Sequence, residues 1–365
     1  MSKRLLIGID AVAVGARVTG AARVLVNLVA HLPAVDPGLD YVAFVTSAGE
    51  SALQGRAGAT RTQVVAPRSS LRWELREAAE AAAAARVDLL FTIRELVPLH
   101  GVPVAVHIFE PPAYRLRTFG RPGAAEIRRY AKDVLLQLAF RRSLRRAHVV
   151  TAGSATTAAW LRAHAGVSAD VVLPGVDAVF LETAPQPHEE PPYVLQLASG
   201  DPRDNAELVL RAFSDPRCRG LRLVIAGAPE RLRSRIERSA AELGVDVEVA
   251  GWVSDERLRE LYGGALALAH PTKYEAYAGL PVLEAMALGT PAVVLDAPGA
   301  TEAVEGVGIV VPREDPALLA EAFARLRDHP ELRAELSERG RSFARGLTWE
   351  AAAAAFAAAF RNALA

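Results

Sequence analysis

The sequence predicts a doubly wound α/β fold in two domains, on three observations. Short apolar runs alternate with amphipathic helical patterns along nearly the whole chain, as parallel strands joined by crossover helices require. The 365 residues exceed what one core of ordinary size organises. A polar, proline-rich segment, Ala184-Pro185-Gln186-Pro187-His188-Glu189-Glu190-Pro191-Pro192, divides the chain nearly in half and reads as a semi-rigid linker. The expected parts are an N-terminal domain over 1–183, the linker 184–192, a C-terminal domain over 193–347 and a terminal helix over 348–365. Two doubly wound domains so joined are expected to leave a cleft between the carboxyl ends of their strands.

The strands expected in the first half are Leu5–Ile9, Tyr41–Val45, Val87–Phe91, Val102–His107 and Val149–Ala152. Those in the second are Tyr193–Leu197, Leu221–Ala226, Val245–Val249, Ala265–His270, Pro291–Leu295 and Gly308–Val311. Each is a short run of apolar, often β-branched residues bounded by turn formers. Val24, Leu25, Leu28, Val29 and Leu32 fall on one helical face, which Pro33 is expected to stop. The alanine runs 81–85 and 351–355 are too weakly apolar to enter a membrane and read as helix.

Composition excludes several classes. A net charge of zero and a pI of about 7.1 leave no field for nucleic acid. One cysteine, Cys218, permits no internal disulfide framework and fits a reducing, cytoplasmic setting. Lys3 and Arg4 precede an apolar run, but Asp10 interrupts it, so the start reads as a buried strand and not as a signal peptide. No apolar run reaches the ~20 residues of a membrane span. Lysine occurs only at Lys3, Lys132 and Lys273, a skew that reads as coding bias. Between Arg115 and Arg146 basic residues interleave with Val134, Leu135, Leu138 and Ala139 at helical spacing. That stretch reads as a solvated helix face, with peripheral contact to an anionic membrane face or a lipid-linked acceptor as the alternative.

The most informative block runs from His270 to Pro291. An apolar strand gives way to a small-residue loop containing Gly279, and Pro281 then marks a helix start whose first turn is expected to hold Glu284. Backbone N–H groups at such a start suit an anion, here a diphosphate. Glu275 and Glu284 flank the loop and are placed to grip hydroxyl groups.

This block resembles retaining glycosyltransferases of glycosyltransferase family 4. Further matching pieces are Gly251-Trp252-Val253-Ser254-Asp255-Glu256, Asp315–Ala322, Thr348-Trp349-Glu350, Arg17-Val18-Thr19-Gly20, Ser154 after a strand, and Leu173-Pro174-Gly175-Val176-Asp177. The resemblance implies the GT-B fold of two Rossmann-like domains facing across a cleft. The C-terminal one then holds a nucleotide-diphosphate sugar, the N-terminal one holds a glycan, lipid-linked or small-molecule acceptor, and the terminal helix packs back on the latter. It implies retention of configuration without a metal or other cofactor. It casts Glu275 as the contact to the sugar hydroxyls, Glu284 as the grip on the ribose, and Ala278, Gly279 and Leu280 as donors to the diphosphate. It casts His107 as the strand-end histidine facing the reacting sugar, Gly20 as the close-approach glycine, and Trp252 and Val253 as neighbours of the base; the competing readings are a satisfied histidine at a strand end, turn glycines at Gly20 and Gly279, and a packing residue at Trp252. Ser154 reads as a helix cap, with a ligand role as the alternative.

Two departures stand out. Eight residues separate Glu275 from Glu284 where the family has seven. Asp204 occupies the place of a family lysine that neutralises diphosphate, directly after Arg203. An aspartate ~4 Å from that phosphate is repelled by roughly 4 kcal/mol at an effective dielectric near 20. Asp204 is therefore expected to face away, with Arg203 or Lys273 supplying the charge. Ile108 follows His107 where the family has aspartate, and Glu110 lies close enough to take over that acidity. The competing readings are a nucleotide-sugar epimerase, for which no acid–base set is found, a phosphorylase, which the scarcity of lysine disfavours, and a catalytically degenerate nucleotide or sugar binding module.

Overall fold

A computed structural model describes residues 4–15, 18, 20–118, 127–183, 190–275, 277 and 279–364. The chain forms two compact units, Met1–Gly175 with Thr348–Ala365, and Val176–Leu347. The division thus falls at Gly175, ahead of the proline-rich segment, most of which (184–189) lies outside the described residues.

The first unit is built on a seven-stranded sheet: β1 (Leu6–Asp10), β2 (Asp40–Val45), β3 (Arg61–Val64), β4 (Leu89–Thr92), β5 (Val104–Ile108), β6 (Val149–Ala152) and β7 (Asp170–Val171). The order is β3-β2-β1-β4-β5-β6-β7, every pairing parallel. The central strands are apolar on both faces because helices cover both; β4, Leu-Leu-Phe-Thr, is buried throughout. The edge strands β3 and β7 were not expected from the sequence. They are mostly exposed, and their polar residues carry no apolar signal.

Pro33 does not stop the first helix, which runs Ala21–Val35. Proline removes the N–H that bonds the carbonyl four residues back. That carbonyl, on Val29, instead accepts the Thr60 hydroxyl at 2.7 Å, so the last turn keeps its polar balance. The terminal helix Trp349–Leu364 belongs to this unit and lies against Ala21–Val35. Its Phe356 and Phe360 each set a ring 5.2 Å from that of Phe91 in β4, and Arg361 holds Asp36 with two hydrogen bonds of 2.6 Å.

The second unit carries six parallel strands: β8 (Tyr193–Leu197), β9 (Arg222–Ala226), β10 (Val247–Val249), β11 (Ala267–His270), β12 (Ala292–Leu295) and β13 (Ile309–Val311). Their order is β10-β9-β8-β11-β12-β13. The order reverses between β8 and β11, and the crevice at such a switch point is where ligands of doubly wound sheets bind. The two loops leaving it, after Leu197 and after His270, carry Arg203 and Glu275. Cys218 is buried in this unit, and burial pushes its thiol up to about 11, which suits packing and not nucleophilic work.

Candidate active site of the second unit

β11 ends at His270 and the chain enters a loop pinned at several points. The Thr272 hydroxyl donates to the Tyr274 carbonyl at 2.8 Å, and the Glu275 N–H donates to the Pro298 carbonyl at 2.9 Å. Gly279 then adopts φ +86° as the cap of the helix Leu280–Ala287, with Pro281 in its first turn. Only glycine takes that conformation without strain. A Cβ there would also stand 3.0 Å from Glu275 Oε2 and 3.1 Å from His270 Nε2.

The expected set of outward N–H donors is smaller than the sequence suggests. The Gly279 N–H bonds the Tyr277 carbonyl at 2.6 Å, and those of Val282 and Leu283 return to the Gly279 carbonyl at 3.1 and 3.4 Å. Proline 281 has none. Ala278, the third residue assigned to this cradle, lies outside the described residues. Glu284 sits in the second helical turn, not the first, because the helix begins at Leu280. It is only 5% exposed, and its Oε2 accepts the Tyr262 hydroxyl at 3.0 Å.

Glu275 is 8% exposed. Its Oε2 lies 3.3 Å from His270 Nε2 and its Oε1 3.8 Å from Arg203 Nη1. The Arg203 guanidinium rests 5.4 Å from the centre of the Tyr274 ring, a cation–π contact. Arg203 occupies a short 3₁₀ turn, Pro202–Asp204, whose N–H is capped by Asp201 at 3.0 Å. Asp204 turns back into its own loop, where Oδ2 accepts the Ser199 N–H at 2.6 Å and the Ser199 hydroxyl at 2.8 Å. Burial raises its carboxyl above the ordinary value, with the Ser199 hydrogen bonds acting in the opposite direction. Lys273 reaches Glu314 at 3.3 Å, a carboxylate that also accepts from Asn205 at 3.1 Å. Trp252 is half exposed in the loop after β10, and Val253 is half-buried beside it.

Of the residues singled out in the sequence, Arg203, Glu275 and Gly279 come together. Glu284 lies within the same helix, and Lys273 pairs with Glu314. His270, Tyr274 and Tyr262 were not foreseen. The available signal was position: His270 and Tyr274 follow directly from a strand at the switch point.

The first-unit residues stand differently. Gly20, at φ +49°, caps the helix Ala21–Val35. Ser154 caps Ala155–Ala165 by accepting the Thr157 N–H at 3.0 Å. His107 is 2% exposed, its Nδ1 lies 2.9 Å from the Thr151 hydroxyl, and its ring is edged by Phe109 at 4.7 Å and Phe356 at 5.0 Å. The reason is register. β5 runs on to Ile108, so Phe109 and Glu110, both half-buried, hold the strand's exit. Burial lowers the His107 ring to about 3 from 6.5. Between those two values the unfolded chain binds the extra proton, so this residue's contribution to stability is full above about 6.5 and is lost as pH falls towards 3. The melting temperature of the wild-type protein is expected to fall more steeply between pH 7 and 5 than that of His107→Gln; equal slopes would show that this ring is not the titrating group.

Elsewhere in this unit, Asp10 ends β1 as a 1%-exposed carboxylate. It accepts from the Trp73 indole at 2.8 Å and the Thr92 hydroxyl at 3.0 Å, with Arg94 Nε at 3.7 Å. Its oxygens are thereby spent on joining β1, β4 and the Trp73 turn.

Residues 181–343 match the family model described as Glycosyl transferases group 1. The chain is 38% identical over 152 residues to a D-inositol 3-phosphate glycosyltransferase of Acidothermus cellulolyticus, spanning 40% of this chain and 34% of that protein. It is 30% identical over 167 residues to the O-antigen chain mannosyltransferase B of Escherichia coli, spanning 43% of this chain and 42% of the other. The chain thus spans well under half the length of these relatives. Among solved structures, sucrose-phosphate synthase from Thermosynechococcus elongatus aligns with a TM-score of 0.76 at 20% identity, over 98% of both chains. HepE of Anabaena, in complex with UDP and glucose, aligns with a TM-score of 0.72 at 16% identity, over 98% of this chain and 100% of that one. At these identities what is shared is the fold, two parallel-sheet α/β domains of the GT-B kind.

Proposed function

We propose that this protein is a retaining glycosyltransferase that draws a sugar from a nucleotide-diphosphate donor held by its second unit, with no metal or cofactor in the step. One observation carries the reading: a buried glutamate, an arginine and a helix start converge at the switch point, within the segment matched by the glycosyl transferases group 1 model. The donor's sugar–phosphate bond breaks with charge left on the diphosphate. Arg203 and the start of Leu280–Ala287 receive that charge, and Glu275 orients the sugar hydroxyls. The acceptor oxygen bonds the anomeric carbon on the face the diphosphate leaves, and the acceptor's proton passes to a departing phosphate oxygen. Glu284 holds the ribose, and Trp252 and Val253 border the base. The first unit is assigned the acceptor. His107 is given no role in the step, since its ring is enclosed by Phe109 and Phe356.

Asp204 does not weigh against this reading, because its carboxylate is committed to Ser199. The rival reading, a binding module without turnover, draws on the pairing of both candidate cations with carboxylates, Arg203 with Glu275 and Lys273 with Glu314. Incubation with UDP-glucose, GDP-mannose, ADP-glucose and dTDP-glucose separates the two: release of a nucleoside diphosphate supports the enzyme, and binding without release supports the module. Arg203→Ala is expected to weaken nucleoside diphosphate binding about 10- to 100-fold, as loss of a charge-assisted contact does. Arg203→Lys is expected to recover only part of it, since the planar fork is lost. An unchanged affinity in Arg203→Ala would remove Arg203 from the donor site.

A lipid-linked acceptor has support in the helix Ile127–Leu144. Ile127, Leu135 and Leu138 are 54%, 67% and 69% exposed there, and Arg142 and Arg145 are exposed at its end. No described helix is long and apolar enough to cross a membrane, so contact of this kind is peripheral. Vesicles containing phosphatidylglycerol are expected to sediment the protein and to release the double variant Leu135→Glu/Leu138→Glu. Equal sedimentation of both would place the contact elsewhere.

A further inference from the structure

We infer that His270 is a positioning residue for Glu275. The inference rests on the reading of Glu275 as the contact to the donor sugar. The loop that carries Glu275 is fixed at its backbone, where the Glu275 N–H donates to the Pro298 carbonyl at 2.9 Å, and the side chain needs a fixed point of its own. The structure supplies one. His270 is the last residue of β11, paired in register with Val294 of β12, so its backbone belongs to the sheet and not to the loop. Its Nε2 stands 3.3 Å from Glu275 Oε2, which ties a loop carboxylate to a rigid post.

The surroundings are shaped to this pair. Gly279 passes so close that a Cβ would press on both Glu275 Oε2 and His270 Nε2, and its φ of +86° admits the loop without one. Arg203 addresses the other carboxylate oxygen at 3.8 Å, so one oxygen meets the end of β11 and the other the turn after β8. The imidazole also lies within electrostatic reach of Asp204, whose own carboxylate is held by Ser199. The charged groups facing His270 are therefore Glu275 and Asp204, with Arg203 beside both. A carboxylate only accepts, so this contact makes Nε2 the donor, and a carboxylate so held offers a fixed acceptor to sugar hydroxyls. Displacement by ~1 Å in such an arrangement costs about 10²-fold in rate.

The test is a double-mutant cycle on donor hydrolysis, with water as acceptor and UDP-glucose, GDP-mannose, ADP-glucose and dTDP-glucose as the panel of donors. His270→Ala is expected to lower turnover about 10- to 100-fold, while affinity for the matching nucleoside diphosphate stays near wild-type. His270→Gln, whose amide N–H reaches the same place, is expected to restore most of the turnover. In the double variant His270→Ala/Glu275→Ala, the histidine change is expected to add nothing to the loss from Glu275→Ala. Additive losses, or a glutamine variant as slow as the alanine one, overturn the proposal by showing a packing role. Wild-type turnover in His270→Ala, with turnover lost in Glu275→Ala, overturns the positioning role alone. No loss in Glu275→Ala, or no turnover of any donor by the wild-type protein, overturns the underlying reading and the inference with it.

Discussion

Replacing Glu284 with alanine is expected to weaken nucleoside diphosphate binding about 10- to 100-fold, the value of one or two hydrogen bonds to a charged group. The carboxylate lies in a helix buried almost throughout, 5% exposed, with one oxygen already accepting the Tyr262 hydroxyl at 3.0 Å. A carboxylate that close to the protein interior is costly unless its charge meets donors, and ribose hydroxyls are donors of the right kind. Truncation also removes the hydrogen bond that the Tyr262 hydroxyl donates, a cost to stability of about 0.5–3 kcal/mol. Tyr262→Phe separates the two effects, because it removes the same internal hydrogen bond and leaves the carboxylate in place. The expected order of affinities is wild type, then Tyr262→Phe, then Glu284→Ala far below. Equal affinity in all three would move the ribose away from Glu284.

Glu275→Ala is expected to behave in the opposite way. Turnover is expected to fall about 10²-fold, as for loss of an orienting contact at the reacting centre. Affinity for the nucleoside diphosphate is expected to hold or rise, and the reason is Arg203. Its guanidinium faces Glu275 Oε1 at 3.8 Å. Without that carboxylate, one countercharge of the guanidinium is gone and more of its charge meets the phosphate. Isothermal titration together with a donor-hydrolysis assay measures both quantities on one preparation. A fall in affinity as large as the fall in turnover would show that Glu275 binds the nucleotide and not the sugar.

The buried strands were legible because helices cover both faces of each sheet, which writes them as continuous apolar runs such as Leu89-Leu90-Phe91. The edge strands β3 and β7 were not, since Arg61-Thr62-Gln63-Val64 and Asp170-Val171 bury little and so carry no apolar mark. Pro33 misled as a stop because its effect was cancelled by Thr60, a partner 31 residues away in sequence from Val29. At the site, Gly279, Pro281 and the two glutamates were readable from local pattern. The Arg203–Glu275 and His270–Glu275 contacts were not, because the first depends on β8 and β11 becoming neighbours, which no local pattern encodes. The enclosure of the His107 ring by Phe109 and Phe356 is likewise not written in the local pattern. β5 continues to Ile108, so the exit belongs to Phe109 and Glu110.

On the proposed reading the second unit holds a nucleoside diphosphate at the start of the helix Leu280–Ala287. Isothermal titration with UDP, GDP, ADP and dTDP, with no metal added, is then expected to show saturable one-to-one binding of one of the four, weakened by Glu284→Ala and by Arg203→Ala. Heats of dilution alone for all four, from a protein that melts cooperatively, would contradict it.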